Sequence, residues 1–283
     1  MPKFIILFIF VFFSFCGFDA SAQSYFTALE VGFAAGGSQY FGDLNEHYGF
    51  NTIGPAGGIY ARERLNSYIA VKVIANYTQV GYSDTYNSDP YAKLRNLNFR
   101  SDVVEVAAQA EFNFFAFVTG VKEHRYTPYL TGGIGAFYYD PYTTYNGNKY
   151  FLRPLGTEGQ YAGYAPRRYS STSLCFPIGA GFKYWIKGGV NLTLEIADRL
   201  TVTDYLDDVS NTYVGAASFA NTPVTKALQD RSPGQVLGIP GKQRGNTSSY
   251  DQYLMAMLSI TFNFTSYRCP SFMKFDDDLR VRQ

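Results

Sequence analysis

The chain has 283 residues, with 24 Lys and Arg against 23 Asp and Glu and a formal net charge of +1. That balance excludes the strongly basic face on which a nucleic acid or polyanion would bind. Two histidines and three cysteines leave little material for a metal centre or a disulfide framework, while 25 Tyr and 25 Phe beside one Trp favour strands.

At the amino end Lys3 precedes an apolar run over residues 4–15, and Ala20-Ser21-Ala22 follows. This is the pattern of a cleaved export signal over residues 1–22. Cys16 follows Phe15, which is too bulky for a lipoprotein cleavage site, so lipidation is not expected. No later run approaches the ~20 apolar residues of a membrane-crossing helix, so any crossing must be made by strands.

The first strand is expected over residues 27–40, where Leu29, Val31 and Phe33 alternate with Glu30, Gly32 and Ala34. Gly36-Gly37 marks a bend or a close backbone approach. A polar segment leads to a glycine-rich second strand, residues 53–62, closed by the short turn at residues 64–67. The third strand, residues 68–82, sets Ile69, Val71 and Val73 against Ala70, Lys72 and Ile74. A loop with Asp89-Pro90 follows, which is a turn signal.

The fourth strand, residues 98–117, alternates without a slip. Val104, Val106, Ala108, Ala110, Phe112 and Phe114 share one face; Glu105, Ala107, Gln109, Glu111 and Asn113 share the other. A period of two is a strand. Its polar face would meet water in a soluble sheet and the lumen in a barrel. Residues 115–124 then turn the chain into a fifth strand, 126–139, and a tyrosine-rich loop covers 140–170. A sixth strand over 172–185 and a seventh from 190 to about 205 flank the hairpin turn Lys187-Gly188-Gly189. The longest loop spans 207–249 and the eighth strand 252–264.

Connections after strands one, three, five and seven are long, and those after two, four and six are short. That alternation is the pattern of a transmembrane barrel with extended extracellular loops and short periplasmic turns. The expected fold is therefore all-β: an eight-stranded antiparallel up-and-down barrel over residues 23–264, with residues 265–283 a periplasmic tail.

Eight strands leave an interior just wide enough to be filled by side chains. Glu30, Lys72, Glu105, Gln109, Glu111, Lys183 and Glu195 fall on inward positions, and buried carboxylates need partners. A polar plug bridged by Lys72, Lys183 and tyrosine hydroxyls is expected rather than an ion path. His47, with Asp43 and Glu46 nearby, lies in the first long loop and His124 in a short turn. No serine or threonine is fixed beside either, so no catalysis is expected. Cys175 and Cys269 lack partners at metal-ligand spacing and lie at opposite ends of the barrel, so neither a metal nor a disulfide is expected. No cofactor, small-molecule substrate or nucleic acid is implied. In the tail, Cys269, Phe272 and Phe275 sit among charges; with Lys122 and His124 they are the candidate periplasmic docking residues.

Several stretches, in order along the mature chain, resemble PorG, the outer-membrane barrel family of the type IX protein secretion system. They are LEVGFAAGGSQYFGDL (29–44), RNLNFRS (95–101), PLGTEGQ (154–160), FPIGAGFKY (176–184), TDYLDDVS (203–210), RGN (244–246) and YRCPSF (267–272). The resemblance implies a non-enzymatic barrel in outer-membrane lipid, tying a periplasmic ring of a lipoprotein and its partner protein to that membrane. A free-standing OmpX-like barrel acting through its extracellular loops is the alternative.

Overall fold

The computed structural model describes residues 28–265. The expected export signal and the expected tail, with Cys269, Phe272 and Phe275, lie outside the described residues. Nine strands form: β1 (Ala28–Phe41), β2 (Gly54–Arg64), β3 (Ile69–Ser83), β4 (Asn98–Asn113), β5 (Tyr126–Tyr145), β6 (Asn148–Phe151), β7 (Thr172–Lys187), β8 (Val190–Thr201) and β9 (Gln252–Thr265). The sheet order β4-β3-β2-β1-β9-β8-β7-β5 closes on itself through a β4–β5 pairing, and β6 only extends β5 as a hairpin. The result is a closed antiparallel barrel of eight staves, as the loop alternation requires. Closure leaves no free strand edge, so every stave satisfies its backbone groups within the ring.

The two faces of each stave sort as the sequence pattern predicts. In β4, Val104, Val106 and Phe112 are exposed, whereas Glu105, Gln109 and Glu111 are buried. The exposed face of the other staves is likewise apolar, with Val71, Val73, Ile134, Ile178, Ile196 and Ile260 among its members. A belt of this kind around a closed barrel with a polar interior is what a lipid-facing wall presents. At the short-turn end the belt becomes aromatic: Phe115 packs on Tyr126 at 6.2 Å and Tyr126 stacks on Phe182 at 6.0 Å.

Glycines in the wall make room for tyrosines in the lumen. Gly32 pairs with Tyr60 and Gly181 with Tyr129 across adjacent strands. A Cβ on Gly181 would lie 2.5 Å from the Tyr129 ring, and one on Gly32 2.2 Å from the Tyr60 ring. Each ring lies over its glycine, which explains why the inward positions of these staves read as weak strand formers. Gly181→Ala is therefore expected to destabilise the barrel by about 1–3 kcal/mol, measurable by urea unfolding of the folded protein in micelles; an unchanged midpoint would contradict the packing.

Some boundaries differ from the sequence reading. β4 stops at Asn113 rather than continuing to residue 117, because residues 114–125 form a turn that folds back under the barrel. β8 stops at Thr201, not near 205. β5 runs on to Tyr145, so the tyrosine-rich segment starts as strand and reverses through Asn146 and Gly147, both at positive φ.

Candidate functional site

The lumen carries two charge clusters, one above the other. Towards the short-turn end, Glu111 accepts from three cations: Arg62 Nε at 2.8 Å, Lys183 Nζ at 2.6 Å and Lys72 Nζ at 3.3 Å. Arg62 also reaches Glu30 at 3.0 Å, Arg64 Nε lies 3.3 Å from Glu30, and Lys72 meets Glu195 at 2.6 Å. The Tyr129 hydroxyl donates to Glu195 at 2.6 Å, and Lys183 donates to Asn113 at 2.9 Å. Higher in the barrel, Glu105 accepts from Tyr253, Asn76 and Arg199 at 2.6, 2.9 and 3.3 Å.

All seven lumen residues read from the sequence are buried, and six of them join these clusters. Gln109 is the exception: its one contact, accepted from Thr131, is 3.5 Å long and its amide nitrogen has no partner. Lys72, Lys183 and tyrosine hydroxyls meet these carboxylates, and Arg62 and Arg199, which the sequence reading did not name, carry much of the pairing as well. Both were within reach. Arg62 is in register with Lys72, and Arg199 shares the parity of Glu195.

The short-turn end is closed by the β4–β5 connection. Phe117 is 1% exposed and its N–H donates to Ser67 in the β2–β3 turn, while Thr119 exchanges hydrogen bonds with Asn191 at the start of β8. Contacts on both sides place this turn across the mouth. Lys122 is exposed on it and His124 is half-buried. These two docking candidates lie two positions apart on one short turn.

The opposite end is covered by an ordered cap in which five loop segments converge. Arg95, at the end of a short helix α1 (Pro90–Arg95), forks onto Asp84 at 2.8 and 2.7 Å and donates to the carbonyls of Arg244 and Asp43. Arg244 is buried and donates to Glu158 and to the carbonyl of Asp208. Glu158 also accepts from the backbone of Ser210 and Asn211, and Thr157 and Tyr169 donate to Asp208. Sequence reasoning missed this node because irregular backbone has no period to read.

Beside the node lies a cluster of carboxyls with no cation in its centre. The Tyr40 hydroxyl sits 2.6 Å from Asp207 and 2.8 Å from Asp251. A hydroxyl has one proton to donate, so the second contact requires a proton on a carboxyl. Burial, then the charge of neighbouring Asp207, pushes Asp43 up to about 9. Burial likewise lifts Asp207 to about 8 and Asp251 well above the usual carboxylate range. His47 lines a shallow cleft of about 180 Å³ with Asp43, Glu46, Asp89 and Arg95, and no serine, threonine or cysteine lines it. Among the described residues no His, Cys, Asp and Glu group has metal-binding geometry, and Cys175 is a buried free thiol.

The profile of a family described as a domain of unknown function (DUF6089) matches residues 3–222. No curated protein matches the sequence. Among solved structures, the attachment invasion locus protein Ail of Yersinia pestis, in complex with the heparin analogue sucrose octasulfate, is similar at 10% identity and a TM-score of 0.41, over 85% of this chain and 100% of that one. Neisserial surface protein A is similar at 13% identity and 0.39, over 84% and 97%. The outer membrane protein OprG of Pseudomonas aeruginosa is similar at 9% and 0.38, over 87% and 99%. Likenesses at this level say nothing of this chain's role.

Proposed function

The chain belongs to the family of unknown function DUF6089, and from that premise we propose that it is a non-enzymatic outer-membrane barrel that anchors the periplasmic ring of a type IX secretion system. The observation that carries this reading is the cap node. Arg95, Asp43, Thr157, Glu158, Asp208 and Arg244 come from five of the segments in which the sequence resembles PorG. A resemblance due only to barrel patterning would lie along the staves; this one includes residues that interlock in irregular loops. The lumen, filled by paired side chains and crossed below by the Phe117 turn, favours an anchor over a conduit. Outer-membrane lipid is the partner of the apolar wall, and the ring lipoprotein and its partner protein are the partners of the periplasmic end.

The test is affinity capture of the tagged full-length chain from detergent-solubilised outer membrane. The ring lipoprotein and its partner are expected to copurify, and Lys122→Glu is expected to reduce their recovery several-fold with the barrel level unchanged. Normal type IX secretion in a deletion strain would reject the proposal. The alternative, a free-standing barrel acting at the cell surface, draws support from the size and order of the cap; it predicts full function in the Lys122→Glu variant.

A further inference from the structure

A second cleft at the extracellular end, about 310 Å³, opens where β3, β4 and β5 end. Its lining includes Tyr82, Tyr86, Arg100, Tyr142 and the hydroxyl residues Thr52 and Thr144. It differs in charge from the His47 cleft, which carries three carboxylates. Here Arg100 is the one charged residue of the lining, it is exposed, and no carboxylate among the described residues pairs with it. A second cation stands close by: Lys149 Nζ lies 3.5 Å from the centre of the Tyr142 ring and is loosely paired with Asp102 at 3.8 Å, which leaves Arg100 as the unpaired charge.

Two further features describe what such a cleft accepts. Tyr86 is 53% exposed and its ring packs edge-on against Tyr82 at 5.8 Å, so an aromatic surface is held in place and left uncovered. The Thr52 hydroxyl is buried yet has no hydrogen-bond partner, a polar group left unsatisfied unless a ligand answers it. Aromatic faces stack on the C–H faces of a sugar ring, hydroxyls pair with its hydroxyls, and a free guanidinium forks onto phosphate or carboxylate. Arg100 also lies at the outer end of β4, two residues beyond Asp102 on the outward face. That is the level of the head groups of an outer leaflet.

The geometry points to a binding site for an anionic saccharide, a sugar carrying phosphate or carboxylate. This goes beyond the ring-anchoring role and does not depend on it. The sugar's source is either an outer-leaflet glycolipid or a free acidic glycan.

The experiment is calorimetric titration of the full-length chain in nanodiscs. The probes are a delipidated, phosphorylated lipopolysaccharide core oligosaccharide, the same oligosaccharide after dephosphorylation, and intact lipopolysaccharide. The phosphorylated oligosaccharide is expected to bind, and Arg100→Gln and Tyr86→Ala are each expected to weaken it about tenfold, equal to about 1.4 kcal/mol. Lys187→Gln, in the exposed hairpin turn at the other end, should leave binding unchanged. Tighter binding of intact lipopolysaccharide than of its core identifies the glycolipid as the source, and equal binding identifies the free glycan. The heat-modifiable gel shift of both variants verifies folding. The site is rejected if the dephosphorylated probe binds equally well, or if neither substitution weakens binding in a folded variant.

Discussion

Replacing Glu111 by glutamine is expected to cost the barrel about 3–5 kcal/mol, the scale for removing one partner of a buried ion pair. The carboxylate holds Arg62, Lys72 and Lys183 at once, all within 3.3 Å and all buried. After substitution Arg62 keeps Glu30 and Lys72 keeps Glu195, but Lys183 keeps no carboxylate, only the Asn113 amide oxygen and the face of the Tyr129 ring at 4.3 Å. The loss should therefore concentrate on Lys183, and Lys183→Met in the Glu111→Gln background is expected to recover about half of it. Gln109→Leu is the contrast: its one hydrogen bond is long and its nitrogen unpaired, so the change should be neutral or stabilising. Urea titrations followed by the gel-mobility shift of the folded barrel measure all three. Equal costs for Glu111→Gln and Gln109→Leu would mean that the lumen charges do not form a load-sharing network.

This network also shows how far the sequence could be read. Alternation in β4 places Glu105, Gln109 and Glu111 on one face because a strand has only two, and the long–short alternation of the connections, with an expected export signal, makes lipid the expected partner of the other. The same parity rule, carried two steps further along β8 from Glu195, reaches Arg199, and across the β2–β3 register it reaches Arg62. Both arginines were legible; glycines obscured the period of β2, and Arg199 lies close to the end of β8. The extension of β5 was legible as well, since Asn146-Gly147 is the strongest short-range hairpin signal. The cap was not. Its decisive contacts join residues 149 apart, as Arg95 and Arg244 are, or 211 apart, as Tyr40 and Asp251 are. Nothing in a local pattern encodes which loop meets which.

The two ends of the barrel consequently differ in how they are built. The short-turn end is sealed by one connection whose Phe117 and Thr119 make ordinary neutral contacts. The cap instead combines fully paired cations, Arg95 and Arg244, with carboxyls that face one another. Paired charges fix the loops over a wide range of pH; facing carboxyls fix them only while they hold protons. The cap should therefore be the part of the molecule whose order responds to pH.

Raising the pH from about 5 to 9 is expected to destabilise the cap by several kcal/mol, because each lifted carboxyl gives up about 1.4 kcal/mol per pH unit until its folded value is reached. Asp43 and Asp207 are lifted by burial to about 9 and about 8, Asp204 to about 7 and Asp208 to about 6. A carboxyl lifted in this way binds its proton in the folded state and releases it in the unfolded state, whose carboxyls titrate near 4. Its contribution is complete below that value and is lost as the pH climbs towards the folded value. The nearby cations do not remove the effect: Arg95 is already forked onto Asp84, and Arg244 is taken up by Glu158. Asp207→Asn substitutes a neutral group that can still accept from Val209, as Asp207 now does at 2.8 Å, so it should flatten the pH dependence and leave the variant more stable than the native chain at pH 9. Hydrogen exchange of residues 203–210 at pH 6 and pH 9 isolates the cap from the staves. Protection there that does not change between the two, in the native chain, would show that these carboxyls do not share protons as their geometry requires.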